Sequence, residues 1–234
     1  MAAWITLSHP TRSLLGKILD DEKGDDMTML SQRFTRAVDY ARIAHTAQVR
    51  KGTDIPYLSH LLGVASLVLE FGGNEDQAIA AILHDVIEDC GEAHRDLVRA
   101  EFGDAVADIV EACTDGTAEN KAAVADAEAK RLDWIQRKLG YLHHLADASD
   151  AVLLVSGCDK LHNARTIVQD LEDPGTGQAV FDRFKGGKAG TLGYYEAIAQ
   201  TFKGRGAPMA PALDAVVGRM HELAAVTSRR PLAE

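Results

Sequence analysis

The chain has 234 residues, 46% of them hydrophobic, and a formal net charge of −10. That suffices for one sizeable core, and no segment approaches the roughly eighteen consecutive apolar residues that a membrane span needs. The acidic balance, with no basic stripe, argues against a nucleic-acid polymer as partner. It still allows a small anionic substrate held by a few local Lys and Arg side chains.

Residues 1–29 read as an N-terminal extension carrying the solvated charge cluster "DDEKGDD". No basic segment precedes an apolar run there, so no secretory signal is expected. Cys90, Cys113 and Cys158 form no C-x-x-C pair and read as small buried residues of a reduced, cytoplasmic protein. The periodicity predicts a helix over 31–49, with Phe34, Ala37, Val38, Ala41 and His45 on one face. After the loop "RKGTDIPY", a helix is expected over 59–71, stopped by Gly72-Gly73. Asn74 then caps a helix over 74–90, with Gln77 at the capping-box position. Shorter helices follow over 92–102 and 104–113, and "TDGTAEN" reads as a turn. Longer ones are predicted over 121–145, 149–171 and 188–202. "KGRGAPMAP" reads as a linker to a further helical pattern over 209–228. Alternating β-branched runs are essentially absent, so the expected fold is all-α. One domain is expected over 30–203, with 204–234 as a C-terminal extension.

The stretch "LHDVIEDC", residues 83–90, crowds a histidine and three carboxylates together. On a continuous helix, Ile79, Ile82, Leu83, Val86 and Ile87 form an apolar stripe. His84, Asp85 and Glu88 fall opposite it, with Asp89 at its margin. A solvated acidic face is the plain reading of those carboxylates. His84-Asp85 becomes a half-site for Mn²⁺, Fe²⁺ or Zn²⁺ only if other ligands exist. In "AVLLVSGCDKLHNARTIV", Asp159 extends the apolar face of Val152 and Val155, and His162, Asn163 and Thr166 continue it. A carboxylate there needs a metal or a salt bridge to a Lys or Arg. Upstream, His45 lies within its helix's apolar stripe and His60 at an exposed helix start, and spacing favours His60 only modestly. His9, His94, His143, His144 and His221 read as surface residues.

Four segments in order, "AVDYARIAHTAQVRKGTDIPYLSHLLGVASLV", "AAILHDVIEDC", "FGDAVADIVEACTDG" and "CDKLHNARTI", resemble the hydrolase domain of the RelA/SpoT alarmone enzymes. That domain belongs to the HD phosphohydrolases. The resemblance covers roughly residues 30–203. With no synthetase domain after it, the chain is similar in size to the stand-alone small alarmone hydrolases, the animal Mesh1 type. The resemblance implies an all-α HD-domain bundle whose metal ligands are His60, His84, Asp85 and Asp159, with one Mn²⁺ as the ion. It implies that Glu88 and Asp89 orient or activate the attacking water. Arg50 would stack on the base, Lys51 would offset phosphate charge, and Asn163 and Thr166 would contact the nucleotide. Here the loop takes the longer "RKGTDIPY" form, and Cys90 stands where relatives often have Thr. In "KRLDWIQRKLGYL", Arg131, Arg137 and Lys138 align loosely with a basic helix and are candidate phosphate contacts, with a solvated face as the alternative.

The implied reaction is metal-dependent removal of the 3′-pyrophosphate from (p)ppGpp, giving GDP or GTP and pyrophosphate. The small nucleotide is the expected partner, with no membrane and no nucleic-acid polymer. Alternatives are the same chemistry on (p)ppApp, hydrolysis of another phosphorylated nucleotide such as NADPH, and a non-catalytic nucleotide-binding role.

Overall fold

The computed structural model describes residues 28–114 and 126–232. Among these residues the chain forms ten α-helices, one 3₁₀ helix and no strand, as the all-α expectation requires. The helices are α1 (Gln32–Ala44), α2 (Leu58–Glu70), α3 (Glu75–Leu83), α4 (Val86–Cys90), α5 (Ala93–Phe102) and α6 (Asp104–Cys113). They continue with α7 (Ala127–Asp147), α8 (Asp150–Glu172), the 3₁₀ helix Gly177–Arg183, α9 (Gly187–Gly204) and α10 (Ala210–Leu223). Most of the turn expected at "TDGTAEN", and residues 121–125 of the helix expected after it, lie outside the described residues.

Local chemistry sets most boundaries. Ser31 caps α1 by accepting from the Arg33 N–H, and Ser149 caps α8 by accepting from Val152. Asn74 and Gln77 form both bonds of the predicted capping box on α3. The first helix stops about a turn earlier than its periodicity suggests. The backbone of Gln48 and Val49 is needed elsewhere: Tyr57 N–H donates to Gln48 O at 2.9 Å, and Val49 bridges to Pro56. The "RKGTDIPY" loop is thereby folded back on itself, with Arg50 N–H donating to Ile55 O at 2.8 Å.

Helix α8 is the axis of the bundle and packs against α2, α3, α6, α9 and α10. Its N-terminal half is buried on every side, from Val152 through Asp159, as a helix enclosed by others must be. Gly157 admits the turn before α10, since a Cβ there would lie 2.3 Å from Met209 Sδ.

The linker expected over "KGRGAPMAP" is instead a compact turn with Ala207, Met209 and Ala210 buried. It returns α10 onto α8 and α9. Leu213, Val217 and Met220 are fully buried on α10, so this segment completes the core rather than trailing from it. Two histidines expected at the surface are held by partners. His221 is buried and bonds Val217 O through Nδ1 at 2.9 Å, and half-buried His94 pairs with Tyr40 Oη at 2.7 Å. No helix among the described residues is long and apolar enough to cross a membrane.

Removing the Leu213 side chain should therefore open a core cavity. Leu213→Ala should lose about 2–5 kcal/mol of stability. Leu97→Ala, on an exposed position of α5, should change it by less than about 0.5 kcal/mol. Thermal and urea denaturation of the two variants compares them directly.

Candidate metal centre and substrate cleft

Three helices deliver two histidines and two aspartates to one point. His60 lies in the first turn of α2, His84 and Asp85 at the junction of α3 and α4, and Asp159 in the middle of α8. The helix expected to run unbroken over 74–90 is interrupted at His84-Asp85. His84 Nδ1–H donates to Ala81 O at 2.8 Å, the carbonyl that a continuous helix would offer to the Asp85 N–H. Asp85 sits at φ −100°, ψ −1°, between the two helices. The break turns His84 inward, off the polar face on which a continuous helix would set it: His84 is 2% exposed. His60, expected at an exposed helix start, is 1% exposed.

The donor atoms face one another at metal-ligand spacing. His84 Nε2 lies 3.0 Å from Asp85 Oδ2 and 3.6 Å from Asp159 Oδ1. His60 Nε2 lies 3.2 Å from Asp159 Oδ1 and 3.7 Å from Asp85 Oδ2. Ligands about 2.0–2.2 Å from a shared ion are separated by about 3.0–3.6 Å. Among the described residues neither Nε2 atom, both buried, has a hydrogen-bond partner, a costly state that a cation between them would relieve. Each histidine engages a partner through Nδ1: Ala81 O for His84, and His162 Nδ1, at 3.0 Å, for His60. The aspartates are also held. Tyr57 Oη donates to Asp85 Oδ2 at 2.5 Å, Asn163 Nδ2 to Asp159 Oδ1 at 2.6 Å, and Lys160 Nζ to Asp159 Oδ2 at 2.5 Å. The salt bridge considered for Asp159 thus exists on one oxygen while the other faces the histidines. A donor set of imidazoles and carboxylates suits a divalent transition ion; among the described residues His60, His84 and Asp85 are grouped closely enough to hold one, and Asp159 Oδ1 stands beside both imidazoles.

Charge in this pocket is tightly balanced. Burial pushes both carboxyls up, but His84 beside Asp85 and Lys160 beside Asp159 outweigh it and hold both below the usual range. Burial opposes a charge on His84, yet Asp85 and Asp159 together hold its pKa above the ordinary value. The two carboxylates therefore call for positive charge where His84 Nε2 points. His60 is lowered, chiefly by burial.

A cleft of about 610 Å³ opens beside the four residues, within the range of small-molecule sites. Tyr57, Lys160, His162 and Asn163 line it next to the donor cluster. Arg50, Lys51, Lys138, Lys160 and Arg183 give it five cations against one carboxylate, Asp170, in a chain of net charge −10. Arg50 Nη2 donates to Asn163 Oδ1 at 2.8 Å, and its guanidinium lies 5.9 Å from the Tyr57 ring centre. Thr166 lines the same wall, one turn beyond Asn163. Trp134, Phe184, Tyr194 and Tyr195 supply aromatic surface. Of the three basic residues weighed on α7, Lys138 lines this cleft, 5.1 Å from the Tyr194 ring centre. Arg137 pairs with Asp133 at 3.0 Å and borders a smaller hollow, and Arg131 is solvent-exposed.

Glu88 and Asp89 stand on α4, directly after Asp85, and neither lines the cleft. Asp89 Oδ2 accepts from Gln48 Nε2 at 2.8 Å, and Gln48 Oε1 pairs with buried His45 Nδ1 at 2.6 Å. His45 stacks on Tyr57 with ring centres 5.2 Å apart, so it braces the site from behind rather than joining the donor cluster. Tyr57 and Lys160 were not singled out from the sequence, and His162 was placed on the Asp159 face but given no role. The signal for His162 was present: it follows Asp159 by three residues on one helix face.

A family model described as HD domain matches residues 37–189. The guanosine-3′,5′-bis(diphosphate) 3′-pyrophosphohydrolase MESH1 of Xenopus tropicalis is 32% identical over 152 residues, covering 64% of this chain and 77% of that protein. A probable guanosine-3′,5′-bis(diphosphate) 3′-pyrophosphohydrolase of Synechocystis is 33% identical over 148 residues, or 62% of this chain. The chain spans 18% of that relative, and 15% of the probable GTP pyrophosphokinase of Mycobacterium leprae. The solved structure of a metazoan ortholog of SpoT that hydrolyses ppGpp superposes with a TM-score of 0.63 at 25% identity, covering 82% of this chain and 97% of that one. The His–Asp pair at the α3–α4 junction falls inside the matched domain, and the chain belongs to the HD-domain family, in the group that holds the small MESH1 relative.

Proposed function

We propose that this chain is a metal-dependent hydrolase that removes the 3′-pyrophosphate from alarmone nucleotides such as (p)ppGpp, releasing GDP or GTP and pyrophosphate. One observation carries the reading. Two bare, buried imidazole nitrogens, the buried Asp159 carboxylate and the half-buried Asp85 carboxylate converge at the side of a cationic, aromatic cleft of nucleotide size. The likeness to proteins named as ppGpp 3′-pyrophosphohydrolases supports the choice of substrate.

In this reading His60, His84, Asp85 and Asp159 hold one Mn²⁺. The ion, when bound, supplies Lewis acidity toward the phosphoryl group and the attacking water. Tyr57, Asn163 and Lys160 fix the ligand oxygens through the bonds described above. Glu88 and Asp89 orient the water and accept its proton, with Gln48 setting the Asp89 carboxylate. The water oxygen forms a bond to the phosphorus that carries the ribose 3′ oxygen. The bond from that phosphorus to the 3′ oxygen breaks, and the proton returns to the departing ribose oxygen. Lys51 and Lys160 offset charge on the diphosphate. Arg50 lays its planar guanidinium on the base, and Asn163 and Thr166 hydrogen-bond the nucleotide.

A pyrophosphate-release assay with Mn²⁺ tests the reaction, with ppGpp and ppApp offered in parallel. Release from ppGpp is expected; release from ppApp alone would reassign the base, and release from neither would end the hydrolase reading. Asp85→Ala and Asp159→Ala should lose bound metal and turnover together, measured by equilibrium dialysis and the same assay. Glu88→Gln should keep its metal and lose about 100-fold or more in kcat; normal turnover would remove Glu88 from the chemistry. Arg50→Ala and Lys138→Ala should raise KM more than they lower kcat, as losses of uniform binding do.

A further inference from the structure

We infer that His162, seated against Gly63, is a positioning residue that fixes the tautomer and direction of His60. The inference rests on the metal-centre reading and adds to it a residue that touches none of the ligand oxygens. His60 can bind a cation through Nε2 only if that nitrogen carries no proton, so the proton must reside on Nδ1. The partner of Nδ1 is His162 Nδ1, at 3.0 Å. For His60 to donate, His162 must offer a bare Nδ1 and keep its own proton on Nε2. The opposite arrangement would put the His60 proton on Nε2, facing Asp159 Oδ1 3.2 Å away, and close the position to metal. The two rings lie 4.8 Å apart, centre to centre, tilted by 59°.

The seat for His162 is built by the absence of a side chain. A Cβ at residue 63 would lie 2.3 Å from His162 Nε2 and 2.4 Å from its Cδ2. Gly63 lies within α2, one turn after His60, where alanine is otherwise the better helix former. The glycine therefore makes room for the imidazole that α8 inserts between itself and α2. His60 is aimed from two sides, by Tyr57 at its edge, with ring centres 5.4 Å apart, and by His162 on Nδ1. His84 uses a backbone carbonyl, Ala81 O, for the same purpose. The two ligand histidines thus differ: one is oriented by its own helix, the other by a side chain from the helix that also brings Asp159.

The experiment is a calorimetric Mn²⁺ titration of the metal-stripped full chain without substrate, with apo-protein melting temperatures recorded alongside. His162→Phe removes the acceptor and should weaken Mn²⁺ binding by about 10- to 100-fold. His162→Asn places an amide oxygen where Nδ1 stood and should restore most of that affinity. Gly63→Ala, which displaces the ring without altering it, should weaken binding in the same direction. If His162→Phe binds Mn²⁺ as tightly as the unsubstituted chain, the positioning role is overturned and the metal centre stands. If the unsubstituted chain binds no Mn²⁺, or Asp85→Ala binds it equally well, the metal-centre reading itself falls. A rescue by His162→Asn at unchanged melting temperature separates tautomer control from packing.

Discussion

Two carboxylates, Asp85 and Asp159, are drawn into the middle of a helical bundle, and the rest of the molecule is arranged around that constraint. An unpaired buried carboxylate is expensive. Here each has a donor on one side and a histidine nitrogen on the other: Tyr57 and His84 for Asp85, and Lys160, Asn163 and His60 for Asp159. The compensation is incomplete by design of the donors, because two imidazole nitrogens remain buried without hydrogen bonds. In the proposed metal centre, that incompleteness is what a bound cation would relieve.

The surrounding helices serve as a rigid mount. α8 carries Asp159 at its most enclosed point, then exposes His162, Asn163 and Thr166 to the cleft over the next two turns. One helix therefore sets the distance from the donor cluster to the cleft wall. α9 supplies the opposite wall with Thr191, Tyr194 and Tyr195, and is itself backed by α10. Its rear face is also tied to the end of the described chain: Arg229 Nε donates to Glu196 Oε2 at 2.6 Å, and Leu232 N–H to Gly193 O at 2.8 Å. The C-terminal segment thus supports the cleft without touching it.

Much of this was legible in the sequence because it is written locally. The capping box at Asn74 and Gln77 and the glycine stop after α2 are short-range chemistry, and each appears as predicted; the Ser149 cap on α8 is of the same local kind. The four candidate ligands followed from a resemblance of ordered segments, and they do converge. What the sequence hid is non-local or exceptional. A helical wheel assumes a continuous helix, so it placed His84 with Asp85 and Glu88 on a polar face. The His84–Ala81 bond breaks that continuity and sends the imidazole inward. The burial of His60 depends on α8 docking beside it, 99 residues later at Asp159, which no local pattern encodes. The role of Gly63 likewise depends on a ring 99 positions away, at His162.

The spread of the donors along the chain has a consequence for how the protein comes to be made. Residues 60, 84 and 85 leave the ribosome long before residue 159, and the intervening helices cannot close the site alone. A nascent chain ending at α6 would hold two histidines and one carboxylate with an open side, where α8 has yet to arrive. If the proposed metal centre holds, ion capture and completion of the core would be one late event in synthesis. A metal held by the proposed centre would favour the finished fold and draw the last docking step forward by mass action.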